Sequence, residues 1–293
     1  MTGTFYLGTH QPHWLALPPR DHNGDPIPLF VSHRRLAGRT TLPRARTSWA
    51  LDSGGFSELS LYGEWRTTPE EYVAAVRRYD REIGMLSWAA PMDWMCEPIM
   101  LAKTGLTVAE HQQRTVANFN LLRDMWWDAE DADLQRDWGR PDARHARDPE
   151  FCPFMPVLQG WHLDDYLRCV DMYEAAGVHL WDHPVVGVGS VCRRQATSEI
   201  EAIFDALSEF DLQLHGFGVK TSGLARYGHH LATADSMAWS YDGRRTPTRC
   251  GSTTHINEAN CLTFALDWYE RLGDIGGERD EQLSLDLFSG VAA

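Results

Sequence analysis

The stretch 48–92, SWALDSGGFSELSLYGEWRTTPEEYVAAVRRYDREIGMLSWAAPM, carries the pattern on which the fold turns. It opens with an apolar run that ends at Asp52. Thr68 then stands as an N-cap before Pro69-Glu70-Glu71-Tyr72, with proline at the first helical position and acids in the first turn. A second apolar run, 86–92, follows. Strand, helix, strand in this order predicts parallel strands with the helix packed outside them.

The same alternation recurs on both sides. Further apolar runs lie near 4–8, 28–32, 154–158, 185–190, 213–219 and 232–239. Thr107-Val-Ala-Glu110 has capping-box spacing and opens a helix predicted to run to about Trp127. Residues 163–176 and 198–210 also repeat apolar side chains at helical spacing. Interleaved strand and helix candidates of this number predict an α/β fold, a (β/α)8 TIM barrel, with a doubly wound open sheet as the alternative. Residues 128–150 are polar and poor in aliphatics and read as an exposed insertion. The expected domain spans 1–272, and 273–293 reads as an acidic C-terminal tail.

Hydrophobic residues make up 43% of the 293 and charged residues 23%, which excludes wholesale disorder and a fibrous protein. No run reaches the roughly 18 apolar residues of a membrane span. The first residues lack a basic stretch followed by an apolar one, so no signal peptide is expected. Cys96, Cys152, Cys169, Cys192, Cys250 and Cys261 are too sparse for a disulfide framework and suit reduced thiols in a cytoplasm.

The net charge of −14 argues at first against a nucleic-acid partner. Its distribution argues otherwise. Residues 26–51 hold Arg34, Arg35, Arg39, Arg44 and Arg46 and no acid. Arg193 and Arg194 form a second basic stretch. Lys220, Arg226, Arg244, Arg245 and Arg249 face only Asp235 and Asp242 between 212 and 257. A cationic mouth on an acidic body is the expectation.

The residues suited to chemistry collect where the predicted strands end, which in a barrel is the rim around one cavity. They are Asp52-Ser53-Gly54-Gly55-Phe56, Asp93 within PMDWMCEP, Gln159 in LQG, Gly187-Val188-Gly189-Ser190, His215-Gly216-Phe217-Gly218-Val219-Lys220, and Asp235 in ADS. Taken singly, Asp52 reads equally as the cap of a Gly-Gly turn, and Asp93 as the cap of the next helix. Two carboxylates can divide labour as nucleophile and proton carrier. An amide such as Gln159 donates and accepts at once, which suits the edge of a base. The glycine run 187–190 lacks a following Lys-Ser/Thr, so a Walker-type phosphate loop is excluded.

In this order, DSGGF, PMDWM, LQG, GVGS, HGFGVK and ADS, the motifs resemble the guanine transglycosylases, over about residues 5 to 270. LFVSHRRLAGR, DSGGFSELSLYGEW and GVGSVCRRQAT look closest to the DNA-acting branch, the DpdA-like 7-deazaguanine DNA transglycosylases and their phage-type relatives. The resemblance implies a TIM barrel that exchanges guanine for a 7-deazaguanine such as preQ0. It implies Asp235 as nucleophile, Asp52 as general acid/base, and Asp93, Ser53, Gln159 and Gly189 on the base edge. Phe56 would help form a stacking wall, and Arg193, Arg194, Arg244 and Arg245 would hold the nucleic-acid backbone.

The tRNA-acting members carry a structural zinc. Here Cys250, His255 and Cys261, with Glu258 or a distant residue as the fourth ligand, offer a different spacing for a small zinc-site region near 250–261, the alternative being a degenerate site of packed thiol and capping histidine. DNA and a deazaguanine base are the expected partners, with a helper protein to open the duplex. The alternatives are a tRNA-guanine transglycosylase and a catalytically silent nucleic-acid-binding barrel. The expected location is the cytoplasm, that of the host if the chain is phage-encoded.

Overall fold

Eight short strands make one wholly parallel sheet: β1 (Thr4–Thr9), β2 (Leu29–Ser32), β3 (Trp49–Asp52), β4 (Leu86–Ala89), β5 (Val157–Leu158), β6 (Val186–Val188), β7 (Leu214–Gly216) and β8 (Leu231–Ser236). Each falls on one of the apolar runs. The computed structural model describes residues 3–136, 151–192, 194, 198–247, 250–251 and 255–272. The helices are α1 (His33–Leu36), α2 (Gly55–Tyr62), α3 (Pro69–Glu82), α4 (Pro98–Thr104), α5 (Val108–Arg136), α6 (Leu163–Ala175), α7 (Ser198–Ser208), α8 (Thr221–Tyr227) and α9 (Ala238–Gly243). A last helix covers 262–272.

The strand order is β4-β3-β2-β1-β8-β7-β6-β5. Pairing β1 with β8 curls the sheet so that first and last strands sit side by side, Tyr6 opposite Asp235. The expected ring of ladders is incomplete between β4 and β5. There the edges meet only at an isolated parallel bridge, Ala89 with Phe154, made by Ala89 N–H to Pro153 O (2.7 Å) and Met155 N–H to Ala89 O (3.2 Å). The sequence gives the reason. Pro91, Pro153 and Pro156 bracket the bridge, and a proline has no N–H to extend a ladder.

Side chains alternate across each strand. Phe5, Leu7, Leu29, Val31, Trp49 and Leu51 join the large core that includes Tyr72 and Val76 of α3 and Phe119 of α5. Tyr6, Phe30, Ala50, Trp88 and Val157 form a separate cluster with Phe217 on the opposite, concave face. Aromatic rings fill that interior, Trp88 lying 5.6 Å from Tyr6 and 5.5 Å from Phe30.

The helix starts follow their caps. Glu71 N–H donates to Thr68 Oγ1 (3.2 Å) and Thr68 N–H to Glu71 Oε2 (2.9 Å), completing a capping box. Thr107 and Glu110 repeat it ahead of α5. That helix passes the expected end at Trp127 and runs to Arg136. Nearly buried Arg77 of α3 holds the extension through Glu130 (2.5 Å), Asp133 and the Ala129 carbonyl (3.3 Å). The expected insertion at 128–150 therefore begins as helix, and residues 137–150 lie outside the described residues. Among the described residues no helix is long and apolar enough to cross a membrane.

Candidate active site

Every strand here points its carboxyl end the same way, so Asp52, Asp93, Gln159, Gly189 and Asp235 gather on one rim. Their contacts divide into two groups.

The first group is a hydrogen-bonded edge. Gln159 is fully buried and donates through Nε2 to Asp93 Oδ2 at 2.5 Å. Its Oε1 lies 2.7 Å from Ser190 Oγ, which is also 3.0 Å from Glu97 Oε2 and accepts the Cys96 N–H at 2.7 Å. Gln112 fixes the backbone beneath by donating to Gln159 O (2.6 Å). Gly189 makes room for the Gln159 amide, because a Cβ there would stand 2.2 Å from Gln159 Nε2. Ser190 has φ 57 without being glycine, a backbone that costs about 1–3 kcal/mol and that the surrounding bonds sustain. Burial pushes the Asp93 carboxyl up to about 7; Asp52 and Glu97 push the same way, and the Gln159 bond pulls back.

The second group is the pair Asp52 and Asp235. Asp52 closes β3 and accepts the Gly54 N–H at 3.1 Å. Gly54 has φ 82, which turns the chain into α2 behind it. Loss of water raises the Asp52 carboxyl, and the Asp235 charge raises it further, against the Gly54 and Ser32 hydrogen bonds and Arg34. Asp235 is 4% exposed. Its Oδ1 accepts the Gly218 N–H (2.9 Å) and lies 3.3 Å from His215 Nε2. His215 Nδ1 in turn meets Thr233 Oγ1 at 2.8 Å. The imidazole is fully buried between Trp88 and Phe217, at 4.6 and 4.7 Å.

The remaining expected residues are placed differently. Ser53 is buried on the rim, and Phe56 packs with Trp94 and Met95 beside it. Arg244 and Arg245 are exposed past α9, with Arg245 stacked 4.0 Å over Tyr241. Arg194 is engaged by Glu199 (2.7 Å), the Trp161 carbonyl (2.6 Å) and the Trp161 ring (4.4 Å). Arg193 lies outside the described residues.

Cys250, His255, Glu258 and Cys261 converge, each offering a ligand atom within 4.8 Å of the others. Glu258 is fully buried, accepts the Cys250 N–H at 3.0 Å and lies 3.1 Å from His255 Nε2. Burial raises the Cys261 thiol to about 11, with Glu258 and Cys250 adding to the shift. Two thiols, an imidazole and a buried carboxylate this close suit a dication that would offset their crowding, so the cluster could hold a metal.

His215, Ser190 and Glu97 stand inside the strand-end stretches singled out in the sequence, but none of the three had a role assigned. His215 carried a signal: it sits at an inward position of a strand whose neighbours there are aromatic. The partners of Ser190 and Glu97 could not be read from the sequence, because their contact spans more than 90 residues of chain.

Fold and site together define an α/β protein with a hydrogen-bonded cluster of carboxylates at the carboxyl ends of parallel strands. The family model described as DeoxyPurine in DNA protein A, DpdA, matches residues 1–281, and the chain belongs to that family. At the family level this means insertion of 7-deazaguanines into DNA by transglycosylation. No curated protein matches the chain.

Proposed function

We propose that this protein replaces a guanine in DNA by a 7-deazaguanine of the preQ0 type, through a covalent bond between Asp235 and the sugar. The observation that carries this reading is the juxtaposition of the Asp93–Gln159–Ser190 edge with the Asp52–Asp235 pair on one rim. On this reading the curled sheet is a TIM barrel, residues 1–272 form one domain, and 273–293 are its tail.

Both Asp235 hydrogen bonds land on Oδ1. Oδ2 attacks C1′ as the C1′–N9 bond breaks, and that electron pair leaves with guanine. Asp52, whose carboxyl burial raises above its ordinary value, protonates the departing purine. The entering deazaguanine returns its N9 proton to Asp52, attacks C1′ and frees Asp235. Atoms and charges balance without a further reactant. Asp93 accepts the base N1–H and exocyclic amine, with Ser53, Gln159 and Gly189 along the edge and Phe56 as part of the wall. Exchange rather than hydrolysis requires water to stay out while the sugar is bound to the protein. The target base must first leave the stack, a step for which a helper protein is one route.

Arg193, Arg194, Arg244 and Arg245 are the proposed backbone contacts. Cys250, His255, Cys261 and Glu258 are the proposed zinc ligands, and the metal supplies a structural cross-link. DNA is favoured over tRNA by the family match. The deciding experiment offers labelled guanine or preQ0 with duplex DNA, single-stranded DNA and tRNA, followed by nucleoside mass spectrometry. Label is expected in DNA. Label in tRNA alone, or in no acceptor, overturns the proposal.

A further inference from the structure

Two neighbouring strand ends lie between the two that carry the proposed reactive carboxylates. In the order β3-β2-β1-β8, Asp52 ends β3 and Asp235 lies in β8. Between them β2 leads straight into Arg34 and Arg35, and β1 into His10. Beyond β8, α9 is tied over the end of β1 by Trp239 Nε1–H to Gly8 O (2.8 Å) and leads into Arg244.

Arg35 donates through Nε to His10 Nδ1 at 3.3 Å. This bond sets the imidazole as the neutral Nε2–H form, a donor facing away from Arg35. Burial and the charges of Arg35 and Arg244 push His10 down to about 4, which keeps it neutral at physiological pH. The Arg34 stem lies along Gly54, so this guanidinium sits beside Asp52. Arg34, Arg35 and Arg244 are exposed, and among the described residues none of them forms an ion pair with a carboxylate. Among the described residues, other arginines of this acidic chain do have carboxylate partners, such as Arg77, Arg78, Arg168, Arg194 and Arg226. The guanidiniums of Arg35 and Arg244 beside a neutral N–H donor, with Arg34 flanking them toward Asp52, match a phosphate diester, which presents one charge and two acceptor oxygens.

We propose that His10, Arg34, Arg35 and Arg244 form a phosphate subsite at the mouth, which holds the DNA phosphate next to the reacting nucleotide. The DNA part of this rests on the function proposed above; the anion site itself does not. The subsite gives the chain a short cationic strip spanning the two catalytic strands, and explains how a protein of net charge −14 grips DNA at one point.

The test measures binding of a fluorescent single-stranded oligonucleotide with one guanosine, by anisotropy over a salt series. Wild type is compared with Arg35→Ala, His10→Ala, Arg244→Ala and the charge-preserving Arg35→Lys. Arg35→Ala is expected to weaken binding about tenfold and to lower the salt slope by about one unit. Arg35→Lys should recover the slope. A methylphosphonate at one phosphate beside the guanosine should weaken wild type and leave Arg35→Ala unaffected, which assigns the contact to that phosphate. Unchanged slope and no coupling to the methylphosphonate overturn the subsite, as does wild type that binds no oligonucleotide. Base exchange is assayed on the same samples. Exchange with unchanged slopes removes the subsite alone, whereas altered slopes without exchange remove the proposed reaction alone.

Discussion

At the scale of single residues, on the function proposed above, Asp93 trades stability for recognition. Its carboxyl is raised from an ordinary 3.8 to about 7, chiefly by burial. Between those values the unfolded chain releases the proton and the fold retains it, so this group lowers stability as pH rises through the window, then no further. The full effect is about 4 kcal/mol. Asp93→Asn removes it: the variant should melt above wild type at pH 8, and the gap should close toward pH 4. Base KM should rise at least tenfold in the same variant. A gap that ignores pH would contradict the burial argument. At Gly189, alanine should drive its Cβ into the Gln159 amide and part it from Asp93, a loss of about 1–3 kcal/mol in base binding. Isothermal titration with guanine reads this directly, and unchanged affinity would remove Gln159 from the base edge. His215 acts through Asp235, so His215→Ala should cut kcat about a hundredfold, the scale of a misplaced reacting group. His215→Gln, which keeps an N–H, should restore part of it. Equal loss in both variants would reduce His215 to packing.

At the scale of elements, the sequence was most legible where periodicity and capping chemistry agree. All eight strands fall on the apolar runs, and α3 and α5 begin at the threonines that cap them. The rim positions were legible too, since Asp52, Asp93, Gln159, Gly189 and Asp235 each stand in or just after an apolar run. Short helices were not. Gly54-Gly55 reads as a turn, yet it opens α2, because one left-handed glycine is enough to redirect the chain. The far end of α5 was hidden because its support, Arg77, is a residue from another helix. The segment 255–261 shows the same dependence on distant contacts. It packs on α9 through Glu258 N–H to Gly243 O (2.8 Å) and Ser240 Oγ to Ala259 O (2.7 Å). A metal there would brace α9, the helix that follows Asp235. Purified protein should then contain about one zinc by elemental analysis. A chelator, or Cys261→Ser, should lower Tm by several degrees, at roughly 2–4 °C per kcal/mol for a chain of this size. A metal-free protein whose Tm ignores chelator would leave the cluster as packed thiols.

At the scale of the molecule, the incomplete seam and the base edge coincide. β4 and β5 share no ladder, only the Ala89–Phe154 bridge. Asp93 follows β4 and Gln159 follows β5, so their 2.5 Å bond crosses the rim directly above that gap. Elsewhere around the sheet, backbone ladders fix the distance between neighbouring strand ends; here a side-chain bond does. A purine held by both residues adds further hydrogen bonds across the gap, and so does the work that the missing ladder does between other strands. The ladderless seam should therefore open more readily than the β1–β8 pair, whose register runs over four residue pairs. Amide exchange read by mass spectrometry should be faster in peptides covering 86–92 and 151–158 than in those covering 4–9 and 231–236. Saturating guanine should slow the seam peptides several-fold and leave β1 and β8 nearly unchanged. Gly189→Ala, which parts Gln159 from Asp93, should abolish that protection while keeping the fast seam. Uniform protection across the sheet would mean that the base stabilises the fold as a whole, and the link between seam and recognition would fail.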